Sequence, residues 1–254
     1  MNLILFDETE LGLPLELRDG RAVHLIKVLH KKMGDMFDAG VLGGRLGKGC
    51  IERIADGQMT VRFTFNSEPP PKLPLRLAVG FPRPIQLRRL LRDVTAFGVS
   101  HIDLLESELG DTNYRKTNLL NDGGAEQAFR EGLIQASDTV APSLMRFSSV
   151  GSWLASLTIE PLFNRYSLPA PAEVLLAAAD NIAPGGSFSG ICGSYAAAVL
   201  AVGPERGWSD NERGLLEAAG FTRLSFGTRP LRTENACLVS AALVAACLNG
   251  AGIP

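Results

Sequence analysis

The hydrophobic period of the chain changes at a run of prolines, and that change decides what each side can become. Residues 66–74 read NSEPPPKLP, with four prolines in the six positions from Pro69. Proline fixes φ and has no N–H to give, so the run favours an extended, semi-rigid connector over a helix or a central strand. Before it, residues 58–65 alternate: Met59, Val61, Phe63 and Phe65 are apolar, with Thr60, Arg62 and Thr64 between them. A period of two predicts a strand with one buried face. Shorter strand-like pieces at 3–6 and 36–39, with glycines at 40, 43, 44, 47 and 49, predict hairpins around a small β-barrel. One short helix interrupts them. Ala22, Leu25, Ile26 and Leu29 share a helical face and leave Arg21, His24 and Lys27 toward the other side.

Beyond the prolines, apolar runs alternate with amphipathic stretches, at 75–81, 86–97, 101–105 and 125–136. Strands separated by helices pair in parallel, so an α/β fold is expected. The scheme repeats with strand-like 174–179 and 197–202, a helix from Asp210, a strand near 223–226 and a last helix. Residues 184–194, PGGSFSGICGS, read as a flexible loop among them. The expected division is a small domain over 1–68, a linker over 69–74 and a larger domain over 75–254.

With 46% hydrophobic and 20% charged residues, a chain of 254 residues can bury a sizeable core and is neither disordered nor fibrous. A membrane-spanning helix needs about 20 apolar residues. The longest apolar stretch, 236–248, falls short of that and reads as a buried helix. The apolar run at 3–6 is followed at once by Asp7, Glu8 and Glu10, with no basic start and no export-length core, so a cytoplasmic protein is expected. Cys50, Cys192, Cys237 and Cys247 form no CxxC pair, and His24, His30 and His101 lie outside any HExxH-like cluster. Reduced thiols and no metal are expected. The net charge of −2 gives no global pull toward nucleic acid, so any RNA contact must be local. Arg88 and Arg92 are four apart on an expected helix, and like charges at that spacing cost roughly 0.2–0.5 kcal/mol unless compensated. A phosphate would compensate them; Asp93, four residues after Arg89, offers an ordinary solvated face instead.

Residues 200–220 read LAVGPERGWSDNERGLLEAAG, a strand, a glycine turn and a helix start without a gap. Ser209 suits the N-cap, Glu212 three residues on completes a capping box, and Gly220 ends the helix. A glycine turn at the carboxyl end of a parallel strand lets backbone groups approach a ligand, so a valine at Gly203 is expected to fill that approach. Taken alone, the turn requires only that a strand meet a helix. Residues 224–236 read LSFGTRPLRTENA, a strand, Gly227, an irregular stretch holding Pro230 and two arginines, then a helix from near Thr233. Taken singly, Arg229 and Arg232 fit surface positions and Thr233 a helix cap. Two other glycine-rich segments fail as nucleotide motifs. GGRLGKG at 43–49 imitates a phosphate loop, but Leu42 stands where its first glycine belongs and Gly49 replaces the Ser/Thr, while 184–194 holds no complete GxGxxG.

GPERGWS at 203–209 and GTRPLRTENA at 227–236 together resemble the ribosomal small-subunit uridine N3-methyltransferase family, in the SPOUT superfamily of knotted methyltransferases. The likeness extends to RAVHLIKVLHKKMGD at 21–35 and FPRPIQLRRLLRDVTAFGV at 81–99. It implies a PUA-like β-barrel followed by a SPOUT-type α/β domain with a C-terminal trefoil knot, a homodimer, S-adenosylmethionine as cofactor and 16S ribosomal RNA as substrate. Knots are essentially absent from folds in general, so no reading of periodicity would choose one. By the same resemblance, three loops hold the cofactor. They carry Ala178; then Val202, Gly203, Pro204, Glu205 and Gly207; then Phe226, Gly227, Leu231 and Arg232. Arg21, His24, Arg83, Arg88 and Arg92 are the expected RNA contacts. The chain departs from the family where Glu-Gln-x-x-Arg is usual, having Ile134, Gln135, Ala136, Ser137 and Asp138. Asp93 stands for a usual Lys, Pro230 for an aliphatic residue and Asn235 for a Thr. These changes bear on RNA choice more than on the cofactor.

Uracil N3 is a poor nucleophile until its proton leaves. Arg229 and Arg232 are expected to orient the base and hold the charge spread over N3, O2 and O4, with Glu205 or Glu234 receiving the proton. Methyl transfer needs alignment at roughly 3–3.5 Å and no covalent nucleophile. A noncatalytic RNA-binding member of the family, or a methyltransferase with another RNA target, is the alternative; an α/β oxidoreductase is disfavoured by the missing dinucleotide fingerprint. The small, apolar residues of 236–248 are expected to pack on more than one side, as a homodimer would allow.

Overall fold

In the computed structural model, which describes residues 3–158, 173–191 and 195–248, the alternating stretch before the prolines is strand β5 (Gln58–Ser67), with β1 (Ile4–Phe6), β2 (Leu15–Glu16), β3 (Met36–Val41) and β4 (Leu46–Ala55) ahead of it. They form one sheet in the order β1-β3-β4-β5-β2. β3, β4 and β5 are an antiparallel meander, β1 joins β3 in parallel, and β2 joins β5 antiparallel. β1 and β2 are the sheet's two edges, so the described strands make an open sheet. At the register shift beside Gly47, a Cβ would sit 1.9 Å from the Thr64 carbonyl oxygen, which only glycine tolerates. The short helix begins as α1 (Gly20–Val23) and continues as a π-turn over His24–Val28, closed by the Leu29 N–H donating to the His24 carbonyl at 3.0 Å. Ala22 and Leu25 are fully buried among Phe6, Phe37, Ile51 and Met59.

This unit comprises Met1–Pro71 and also Arg130–Ala141. Leu133 packs with Leu3 and Leu5, and the Arg130 guanidinium donates to the Leu5 carbonyl and to Asp7 at 3.1 Å. Buried Asp138 accepts from the Thr139 and Val140 N–H groups. The departure from the family pattern at 134–138 therefore lies inside the smaller unit.

The second unit, Lys72–Phe129 with Pro142–Pro254, holds a parallel sheet of seven strands. They are β6 (Leu73–Gly80), β7 (Val99–Leu105), β8 (Ser143–Phe147), β9 (Val174–Ala179), β10 (Gly186–Ser187), β11 (Ala197–Val202) and β12 (Thr222–Ser225). The described helices are α2 (Pro84–Ala96), α3 (Gly124–Ala136), α4 (Val150–Ser156), α5 (Asp210–Ala218) and α6 (Thr233–Ala245). α3 begins in this unit, and its residues from Arg130 belong to the smaller one. The order β10-β12-β9-β11-β6-β7-β8 shows the chain moving outward from β6 to β8 and then returning beyond β6 to the other side. Such a reversal opens a crevice at the carboxyl ends of the strands. All eight residues of β6 and all six of β11 are buried, as central parallel strands require. α2 and α6 supply the core on one face of the sheet; α4, α5, Trp153 and Trp208 supply it on the other.

Three regions differ from the sequence expectation. β8 and α4 have no counterpart in the predicted elements, because β8 is an edge strand with little buried surface and so lacks an apolar run. Residues 184–191 contain β10 and a 3-10 turn at Phe188–Gly190, and Phe188 is buried, stacked on Phe226 with centroids 4.7 Å apart. Residues 192–194 of that stretch, with Cys192, lie outside the described residues. From Ala236 on α6 is apolar nearly all round, yet Val239, Ala242 and Leu243, with Ala246 just beyond its end, form an exposed stripe. Among the described residues no helix is long and apolar enough to cross a membrane.

Candidate active site

A cleft opens where β9, β11 and β12 end, beside the reversal of the chain. After β9 it is lined by Ala179, Asp180, Asn181 and Ile182; after β11 by Val202, Gly203, Pro204, Glu205 and Gly207; and after β12 by Phe226, Pro230, Leu231, Thr233 and Ala236.

Two side chains fold the first loop. Asp180, whose side chain is only 1% exposed, accepts from the Ile182 and Ala183 N–H groups at 2.9 and 3.0 Å and from Arg213 Nε at 2.7 Å. Burial pushes its pKa up, but the Arg213 guanidinium and the two amides outweigh burial and hold the carboxyl below its ordinary range. Asn181 ties this loop to the third, accepting from the Phe226 N–H at 3.0 Å and donating to the Arg229 carbonyl at 3.3 Å. In the second loop the Gly207 N–H donates to the Pro204 carbonyl at 2.8 Å, and Trp208 Nε1 donates to the Ala179 carbonyl at 3.2 Å. The predicted capping box is present: the Glu212 N–H donates to Ser209 Oγ, and the Ser209 N–H to Glu212 Oε2. Glu205, on the rim, accepts from the Arg83 N–H at 3.3 Å, and the Arg83 guanidinium lies 3.9 Å away while donating to the Tyr114 hydroxyl at 2.9 Å.

The structure adds a second reason for Gly203 to the expected one. A Cβ there would lie 3.0 Å from Gly207 Cα and 3.3 Å from the Trp208 nitrogen, against the turn's own backbone. Gly203→Val is therefore expected to lower stability by about 1–3 kcal/mol as well as to spoil the cleft. Thermal melts of the unliganded variant check this; a wild-type melting temperature would return the glycine to a ligand-side role.

Seven of the expected cofactor residues meet at the cleft: Val202, Gly203, Pro204, Glu205, Gly207, Phe226 and Leu231. Ala178 does not. Strand alternation turns it to the opposite face of the sheet, into the cluster with Trp153 and Trp208, and Ala179 lines the cleft in its place. Gly227, Arg229 and Arg232 are exposed beside lining residues. Among the described residues, neither arginine has a carboxylate within ion-pair distance, and neither has Arg206. Glu234 is buried and is not among the lining residues; it lies close enough to Cys237 to add to the burial that pushes that thiol's pKa up. Arg21 is held by both oxygens of Glu10 at 2.7 Å and by Asp19 at 2.9 Å, and its guanidinium keeps both carboxyls below their ordinary range. His24 sits half-buried in the π-turn. On α2, Asp93 pairs with Arg92 at 2.6 Å rather than with Arg89. Sequence reasoning missed Asp180, Asn181 and Thr233; an Asp-Asn pair closing an apolar strand was the available signal for the first two.

The RNA methyltransferase domain family matches residues 69–245 of the chain. The ribosomal RNA small subunit methyltransferase E of Treponema pallidum is 33% identical over 97% of this chain and 91% of its own length. The ribosomal RNA small subunit methyltransferase E 1 of Borreliella burgdorferi is 27% identical over 96% of this chain and 98% of its own. Among solved structures, the ribosomal RNA small subunit methyltransferase E of Neisseria gonorrhoeae, bound to S-adenosyl methionine, superposes with a TM-score of 0.68 at 19% identity, covering 96% of both chains. A Legionella pneumophila protein in complex with the same cofactor gives 0.69 at 22% identity, covering 97% of this chain and 98% of its own. The domain match includes every loop of the cleft, and the sequence likeness runs through both units, so the chain belongs to the ribosomal RNA small subunit methyltransferase E family.

Proposed function

We propose that the protein transfers a methyl group from S-adenosylmethionine to N3 of a uridine in 16S ribosomal RNA, acting in the cytoplasm as a homodimer. The observation that carries this reading is the cleft itself. The three segments that the family resemblance assigns to the cofactor converge there, at the carboxyl edge of the parallel sheet. Its walls suit a nucleoside-bearing ligand: Ala179, Val202, Leu231 and Ala236 are apolar, and the buried Thr233 hydroxyl has no partner among the described residues. The same reading makes residues 1–68 a PUA-like RNA-binding domain, 69–74 its linker and 75–254 a SPOUT domain with a C-terminal trefoil knot; the separate sheets of β1 to β5 and β6 to β12 support two domains, with Arg130–Ala141 grouped with the first.

The bound cofactor would supply a methyl group on an electrophilic sulfonium. The chain's part is to bind, orient and manage the proton. Arg229 and Arg232, carrying charge that no carboxylate among the described residues neutralises, hold the uracil anion. Of the two candidate proton acceptors, Glu205 lines the cleft, while Glu234, buried in the first turn of α6, does not. On the larger unit Arg83, Arg88 and Arg92 are the proposed phosphate contacts. On the smaller unit, taken by itself, His24 is the proposed contact and Arg21, paired with two carboxylates, is held in place beside it. The exposed Val239 and Leu243 stripe on α6 is the proposed dimer face.

Calorimetric titration with S-adenosylmethionine, followed by methylation of unmodified small ribosomal subunits and nucleoside analysis for N3-methyluridine, tests the proposal. No heat of binding sinks the enzyme reading. Methyl found on another base sinks the N3 assignment alone. Light scattering should give twice the 27.1 kDa chain mass, and a monomer at micromolar concentration rejects the dimer.

A further inference from the structure

Of the helices that begin at the carboxyl edge of the sheet, the two that follow β11 and β12 start differently. α5 has a full side-chain cap from Ser209 and Glu212. α6 has none: its N-cap is Arg232, which makes no side-chain cap bond, and the first backbone bond at this end is the Ala236 N–H donating to the Arg232 carbonyl. The amides ahead of Ala236 have no acceptor within the helix, and the positive end of its dipole faces the same way. The first residue of this helix, Thr233, is 3% exposed and lines the cleft, yet its Oγ1 has no hydrogen-bond partner among the described residues. A buried hydroxyl left unsatisfied costs roughly 1–3 kcal/mol in the free protein, so such groups in native structures call for an explanation.

We infer that Thr233 is a cofactor-recognition residue, whose buried hydroxyl, with the uncapped amides of the first turn of α6, is satisfied by a lone-pair-bearing atom of S-adenosylmethionine. The inference rests on the proposed function and assigns Thr233 a role within that cleft, where sequence alone suggests only a helix cap. The hydroxyl has two sources of such an atom to meet. One is the adenosine group, favoured by the apolar walls at Ala179, Val202 and Leu231; the other is the amino-acid carboxylate, favoured by the helix dipole.

An opposed pair of effects separates this role from a structural one. Thr233→Val keeps the shape and removes the hydroxyl. In the unliganded protein its melting temperature should equal or exceed that of wild type, because an orphaned polar group is gone. Its Kd for S-adenosylmethionine should rise about 5- to 100-fold, because the ligand atom then loses its partner. Thr233→Ser should restore most of the affinity. Calorimetry with 5′-methylthioadenosine, which lacks the amino-acid part, locates the contact. An equal loss for both ligands places it on the nucleoside, and a loss confined to S-adenosylmethionine places it on the carboxylate; either supports the inference. Wild-type affinity in Thr233→Val overturns it, and so does a lowered melting temperature of that variant without ligand, which would mean the hydroxyl is already satisfied within the chain. Wild-type protein that fails to bind S-adenosylmethionine at all overturns instead the function on which the inference rests.

Discussion

Asp103→Ala is expected to destabilise the larger unit by about 3–5 kcal/mol, the cost of leaving a buried charge without its partner. Asp103 on β7 accepts from Arg76 Nε on β6 at 2.5 Å, from a second Arg76 nitrogen at 3.2 Å, and from Trp153 Nε1 on α4 at 2.7 Å. The Arg76 and Asp103 side chains are 8% and 1% exposed, so water cannot take over either role. Removing the carboxylate strands a guanidinium and an indole N–H together. Asp103→Asn, which keeps an acceptor for Trp153 but not the charge, should lose less. Replacing both partners, Arg76→Met with Asp103→Leu, should recover much of the loss, since a buried pair gives little net stability over a well-packed apolar substitute. Urea unfolding followed by tryptophan fluorescence reads the right unit, because both tryptophans of the chain, Trp153 and Trp208, lie in it. A change below about 1 kcal/mol for Asp103→Ala would reject the account.

That network also marks where the sequence stops being legible. The central strands β9 and β11 and the start of α5 lie where the apolar runs and the capping box put them, because burial on both faces writes an unbroken signal into the chain. Arg76 interrupts such a run in LPLRLAVG, and nothing local says that its partner lies 27 residues on, in the neighbouring strand. β8 was hidden for the opposite reason: an edge strand with exposed side chains carries no apolar run. At the site, the glycine turn and the arginine-rich segment were legible as local motifs, but how a strand's alternation seats its last residues was not, so Ala178 was expected where Ala179 stands. Thr233 was legible only as a helix-cap candidate, since burial and a missing partner are properties of the folded chain.

Arg232→Lys is expected to lower the single-turnover methylation rate by about 10²–10³-fold, the loss typical of removing one donor aimed at developing negative charge. Cofactor and RNA affinities should change little, because lysine keeps the charge and loses only the planar donor fork, whose N–H groups would meet a uracil oxygen and leave N3 open to the methyl group. The position is favourable for such a test. Arg232 is exposed, adjoins the lining residues Leu231 and Thr233, and contributes no side-chain bond to the end of α6, so the substitution leaves the helix start as it is. A pH profile adds a readout that loosened packing would not move. If the guanidinium stabilises the N3 anion, deprotonation becomes limiting in the variant, and its rate should keep rising with pH over a range where wild type is flat. Arg229→Lys, measured beside it, tells whether the two arginines act as one unit, since residues sharing one charge give losses that do not add. Equal single-turnover rates for Arg232→Lys and wild type would remove Arg232 from the chemistry and leave its charge to bind RNA alone.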